Sequence, residues 1–140
     1  MTSTNSTDTT GVAVIRPGDA ERSKQGFMNA GAISAESVGS GRLWMGMITI
    51  PPGARANAHF HADHDTAMYV LEGHAEMWYG DGLQHHLECS AGDFLYIPAG
   101  VPHVAANASD TDRCVAIAAR TDPNEQESVV LTPELDESAR

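Results

Sequence analysis

The chain is short of cysteine, of aromatic residues and of positive charge, and it has no long apolar run. Its 140 residues include 2 cysteines, 2 tryptophans, 3 tyrosines and 3 phenylalanines. Two cysteines, Cys89 and Cys114, are too few for a disulfide scaffold, so they read as buried small hydrophobes in a reducing compartment. No stretch approaches the roughly 18 apolar residues of a membrane-spanning helix. Met1–Thr10 has neither the basic nor the apolar segment of a secretory signal, so a cytoplasmic location is expected. Basic residues number 8 against 19 acidic ones, a net charge of -11. Such a chain is repelled by phosphate backbones and anionic lipid, which argues against nucleic-acid and membrane partners.

Hydrophobic residues make up 41% of the chain, enough for the core of one domain. Residues 1–10 are polar and of low complexity and read as a disordered tail. Residues 11–120 form the domain, with a first short strand expected at Val12–Arg16. Residues 121–140 are an acidic extension whose Val129–Leu131 can pair as an edge strand, with Glu125, Glu127, Glu134 and Glu137 solvated.

From Gly41 onward, short β-forming runs alternate with Gly/Pro breaks every eight to twelve residues. The runs are 42–50, 56–61, 67–71, 75–79, 83–89, 94–97, 103–107 and 113–119. This spacing predicts an all-β antiparallel sandwich or barrel. Asp81-Gly82 is the strongest local hairpin signal.

Three of seven histidines fall within six residues: His59, His61 and His64. In a strand, His59 and His61 share one face with Cα atoms about 7 Å apart, so their imidazoles can converge on one ion. His103 opens a later strand that a stacked sheet can bring over them. His74, His85 and His86 read as surface residues.

The histidines sit in a frame: Gly53-x5-His59-x-His61-x4-Thr66-x6-Gly73, then Gly92-x5-Pro98-x-Gly100-x2-His103-x3-Asn107. This frame resembles the two motifs of the cupin superfamily. The resemblance implies a double-stranded β-helix (jelly-roll) barrel, a metal at its base and a homodimer. Gly53 and Gly73 suit positive-φ turns, and Asn107 reads as a structural hydrogen-bonding residue rather than a ligand.

The chain departs from the family pattern at Thr66, where most metal-binding cupins carry a glutamate ligand. Three ligand sets stay open: His59, His61 and His103 with water; the same three with His64; or the same three with Asp65 shifted by a bulge. Neutral imidazoles leave the full charge on the ion, making it a strong Lewis acid. Imidazole suits zinc, iron, nickel and copper alike, with manganese a further alternative, so the donors do not fix the metal. A looser resemblance is to zinc-dependent monocupin polyketide cyclases, which also lack the usual carboxylate, and it favours zinc. Thr66, Met68, Val70, Ala105 and one of Trp44 or Met45 are expected to line an apolar cup over the metal. For general acid–base work, Asp65 and Tyr69 are weak candidates beside a metal-bound water.

The resulting expectation is metal-dependent cyclase, isomerase or lyase chemistry on a small carbonyl compound. An iron dioxygenase and a non-catalytic ligand- or metal-binding cupin are the alternatives.

Overall fold

Side-chain alternation along Trp44–Ile50 builds the first wall of the barrel. Trp44, Ile48 and Ile50 are buried, while Met45 and Met47 face outward. This is the period of two of a half-buried strand. Gly46 lies on the inward face; a Cβ there would sit 2.6 Å from the Ala30 carbonyl and 2.7 Å from the Trp44 ring. Bare backbone at that point therefore makes room for the indole. Burying Trp44 contributes several kcal/mol, at about 25 cal/mol per Å² over the roughly 200 Å² of an indole.

The computed structural model describes residues 11–16, 21–22, 26–124 and 129–136. Its strands are β1 (Glu21–Arg22), β2 (Met28–Ile33), β3 (Trp44–Ile50), β4 (His59–His61), β5 (Thr66–Glu72), β6 (His74–Tyr79), β7 (His85–Ser90), β8 (Phe94–Ile97), β9 (His103–Asn107), β10 (Cys114–Arg120) and β11 (Val129–Leu131). A one-turn helix, α1 (Ala35–Val38), follows β2, and Pro133–Leu135 forms a 3₁₀ turn. A six-stranded sheet has the order β1-β2-β3-β10-β5-β8, and a five-stranded sheet has β11-β4-β9-β6-β7. The pairings are antiparallel, and the two sheets make the expected jelly roll. Phe27, Trp44, Ile48, Ile50, Val70, Cys89 and Cys114 join in the main core between them.

Two local expectations need correction. Val12–Arg16 forms no strand; Val12 and Val14 are exposed, and no strand among the described residues pairs with them. The run from Ala56 gives strand only at His59–His61, because the Ala58 N–H donates to the Asp136 carboxylate (2.7 Å) instead of a neighbouring strand. The hairpin expected at Asp81-Gly82 does form: β6 and β7 pair antiparallel, and Asp81 and Gly82 are the central residues of the turn that joins them. Leu83 donates its N–H to the Gly80 carbonyl (3.0 Å), and the left-handed residue is Leu83 itself (φ +55). Leu83 is buried against Ala58 and Val104, so packing holds a conformation the residue alone disfavours.

Other expectations hold. β11 is an edge strand, paired with β4 at Val129↔His61 and Leu131↔His59. Gly53 and Gly73 have φ of +70 and +89. Asn107 is structural: its Nδ2 donates to the carbonyls of Ile50 (3.0 Å), Pro51 (3.2 Å) and Asp112 (2.8 Å), while its Oδ1 accepts from the Ser109 N–H (2.8 Å). The expected tail at 1–10 and the acids Glu125, Glu127 and Glu137 lie outside the described residues. Asp136 ties this segment to the barrel, its carboxylate accepting from the Ala58 N–H.

Candidate metal centre

Strand alternation turns His59 and His61 inward on β4, with Phe60 between them less buried. β9 runs beside β4 and places His103 directly opposite His59. The three rings are each 3% exposed, with centroids 4.3 to 5.2 Å apart. One nitrogen from each falls within 4.8 Å of the others. Three imidazoles this close and this buried suit a shared cation, because together they offer neutral donor lone pairs and no charge. These residues can hold a metal ion.

The backbone orients two of the rings. His59 Nδ1 lies 2.7 Å from the Asn57 carbonyl, and His103 Nδ1 lies 3.0 Å from the Val101 carbonyl. A carbonyl only accepts, so each Nδ1 carries the proton, and Nε2 is the nitrogen that would ligate a metal held there. His61 is backed differently. Its Nδ1 is 3.4 Å from the Thr66 hydroxyl, and its ring stacks on His64 at 4.6 Å and 16°. His64, with a side chain 1% exposed, has its Nδ1 3.7 Å from the Asp122 carboxylate. The gathered trio does not include His64; it stands behind His61.

The trio lies in a cavity of about 780 Å³, counting solvent at its mouth. Met68, Val70 and Ala105 line it, with Thr66 beside the histidines. Trp44 is inward but fully buried in the core, outside the lining, because the Arg120 guanidinium covers its face at 3.9 Å. Met45 points to solvent.

Neither acid–base candidate reaches the cavity. Asp65 Oδ1 accepts from the Ala99 N–H (2.9 Å), since odd-numbered positions here face away from the histidines. Tyr69 packs on Phe94 on the outer side of β5. His74, His85 and His86 are exposed, as expected.

Three features escaped the sequence reading. Cys89 and Cys114 are free, buried and both on the cavity wall. Burial pushes the Cys114 thiol up to about 11, with Cys89 and Glu72 adding to the effect, so it is a protonated apolar lining group and not a nucleophile. Burial raises Cys89 as well, with Asp93 contributing. Arg120 also lines the cavity, at 4% exposure. Its signal was available: Cys114, Ala116, Ala118 and Arg120 share strand parity, and all four line the cavity. Asp122, placed next to His64, left no signal, because it lies 58 residues further along the chain.

Comparison with known proteins agrees with this architecture. The fold resembles an uncharacterized conserved protein with a double-stranded β-helix domain from Klebsiella pneumoniae (17% identity, TM-score 0.63, covering 80% of this chain and 89% of that one). It also resembles oxalate decarboxylases of Lactobacillus farciminis (17%, TM-score 0.65, covering 80% and 32%) and Bacillus subtilis (23%, TM-score 0.64, covering 83% and 29%). The chain spans about a third of the length of those decarboxylases. No curated protein sequence matches it. No helix among the described residues is long and apolar enough to cross a membrane. The cupin domain profile matches residues 46–119, more than half of the chain, and the histidine trio and most of the paired strands fall where that match lies: the chain belongs to the cupin family.

Proposed function

We propose that this cupin is a metal-dependent enzyme acting on a small carbonyl compound, with cyclase, isomerase or lyase chemistry of the kind found in monocupin polyketide cyclases. The observation that carries the reading is a trio of neutral imidazoles, with no carboxylate in the set, inside an apolar cavity. A divalent ion held there, zinc by preference, supplies Lewis-acid polarisation of a carbonyl oxygen. The chain's own residues do the rest. The Asn57 and Val101 carbonyls lock the His59 and His103 rings, so the Nε2 atoms are preorganised. Met68, Val70 and Ala105 exclude water and strengthen every electrostatic contact inside. His64, stacked behind His61, steadies the third donor.

The test is α-proton exchange of an aryl ketone in D₂O, followed by NMR under argon and in air. Faster exchange with metal-loaded wild type than with His103→Ala, equal with and without oxygen, is the expected result. Oxygen uptake would point to the dioxygenase alternative. Neither exchange nor uptake would leave a ligand-binding cupin.

We also propose that the protein is a homodimer built on the outer face of the six-stranded sheet. The pairing registers lay Met45, Ala119, Ala67 and Tyr96 in one row, and Met47, Ile117, Tyr69 and Phe94 in the next. Phe94 is 82% exposed and Tyr96 64%. The patch gathers eight uncharged, mostly apolar side chains into one contiguous face, of the kind that marks an interaction surface. Neither row carries a charge, so a second copy of this acidic chain meets it there without opposing carboxylates. Light scattering on a sizing column is expected to give about twice 14.9 kDa for the wild type and one chain for the Phe94→Glu/Tyr96→Glu variant. A monomeric wild type at micromolar concentration would refute the dimer.

A further inference from the structure

We infer that Asp136 is a positioning residue of the metal centre: its carboxylate holds the Asn57–Ala58 peptide group, and that group holds the His59 ring. The inference rests on the metal-site reading above and extends it to a residue 78 positions along the chain from Ala58.

The link is a single peptide unit. His59 Nδ1 donates to the Asn57 carbonyl at 2.7 Å. The other polar end of that same peptide is the Ala58 N–H, which donates to Asp136 Oδ1 at 2.7 Å. A peptide unit is planar, so pinning its N–H fixes the direction of its carbonyl. Ala58 is fully buried, so its N–H has no solvent to turn to. A carboxylate is the stronger kind of acceptor, and hydrogen bonds joined through one peptide polarise each other. The Asn57 carbonyl that His59 meets is thereby both aimed and made more basic, which makes Nε2 the better metal donor.

His103 supplies the contrast. Its Nδ1 donates to the Val101 carbonyl at 3.0 Å. That carbonyl belongs to the Val101–Pro102 peptide, whose nitrogen carries no hydrogen. The proline ring stiffens the turn, and no acid can grip that peptide through an N–H. The Asn57–Ala58 peptide has no such ring. It leads into a strand of three residues that pairs with β9, among the described residues, at His59↔His103 alone.

The C-terminal segment delivers the carboxylate. β11 pairs with β4 along its whole length, from Val129↔His61 to Leu131↔His59. Thr132 then donates its N–H to the Ala58 carbonyl at 2.8 Å. The turn at Pro133–Leu135 folds the chain back, with Leu135 packed on the cluster of Ala58, Leu83 and Val104. Arg55 Nη2 donates to the Asp136 carbonyl at 2.8 Å, which fixes the backbone from which the carboxylate projects. Asp136 is thus held at both its main chain and its side chain, against the residue that precedes a ligand.

The test is NMR of the histidine ring nitrogens in metal-free protein, with zinc affinity measured on the same samples by competition with a chelator. Wild type is compared with Asp136→Ala, Asp136→Asn, Leu135→Ala and Gly92→Ala. Asp136→Ala should move the His59 Nδ1 resonance, leave that of His103 in place, and weaken zinc binding by about tenfold, the lower end of the range for groups that orient ligands. Asp136→Asn still offers an acceptor and should recover part of both effects. Leu135→Ala loosens the turn without touching the carboxylate and should move His59 the same way by less; it carries the test if Asp136→Ala does not fold. Gly92→Ala strains a turn remote from β4 and should leave both resonances and the zinc affinity unchanged. An unmoved His59 resonance, equal movement of His59 and His103, or an equal loss of zinc affinity in Gly92→Ala would overturn the inference. If the wild type takes up no zinc, it is the metal reading that fails. The hold of Asp136 on His59 is then decided by the two resonances of the metal-free protein.

Discussion

Replacing His103 with alanine is expected to reduce bound metal from near one ion per chain to near none. The trio supplies three ligating nitrogens from two strands, and His103 is its only member on β9. Losing a group that merely backs a ligand weakens metal binding by about 10–100-fold. Losing a ligand should exceed that range, because two imidazoles from one strand remain. By the same scale, His64→Ala should weaken retention only within it, since His64 backs His61. The fold should survive. β9 keeps its backbone pairing to β6 and β4, and the main cost is the Val101 carbonyl left without its donor, about 1–3 kcal/mol. Elemental analysis of protein purified without an affinity tag reads the metal directly. Thermal melts with and without chelator give a second reading, because an ion at about 1,000 times its Kd adds roughly 4 kcal/mol to the native state. Chelator should lower the wild-type Tm and leave that of His103→Ala unmoved. A variant that keeps stoichiometric metal would place the site elsewhere.

The second large effect is expected at Gly73, in the turn between β5 and β6. Its φ is +89, and a Cβ there would lie 2.5 Å from the Arg113 carbonyl and 2.8 Å from Cys114 Cα. Both obstacles are backbone, held by the pairing of β10 with β3 and β5, so neither can swing aside. Gly73→Ala therefore combines a left-handed-region penalty of about 1–3 kcal/mol with overpacking of similar size. A loss of about 4 kcal/mol is a large fraction of a domain's total stability. It should lower Tm by roughly 10–15 °C. Gly92 is the control: its φ is +97, but nothing lies within 4 Å of its added Cβ. Gly92→Ala should cost only the backbone share. Equal melting temperatures for the two variants would show that steric closeness at Gly73 is relieved at little cost.

Much of the candidate site was legible along the chain. His59 and His61 share a face because strand side chains alternate, and Phe60 between them was assigned to the opposite side by the same rule. The even-numbered run Thr66, Met68 and Val70 reached the cavity wall for that reason, and odd-numbered Asp65 and Tyr69 missed it. Asn107 was legible as structural from its place at a strand end. The choice between Trp44 and Met45 was not. Parity says that one of the two faces inward, but only the pairing of β3 with β10 says which.

Local periodicity and turn chemistry were enough to place most of the strands from Trp44 to Arg120 and the antiparallel sandwich-or-barrel class, and the motif frame marked the two ligand-bearing segments. These depend on neighbours a few residues apart, and such neighbours are written in order. Contacts between distant residues belong to the tertiary structure. It alone set Asp122 beside His64, stacked Arg120 on Trp44 and turned Cys89 and Cys114 into cavity wall. It also held Leu83 in a left-handed turn that its own preference opposes. In each case the deciding energy comes from burial or pairing across sheets, which no local pattern encodes.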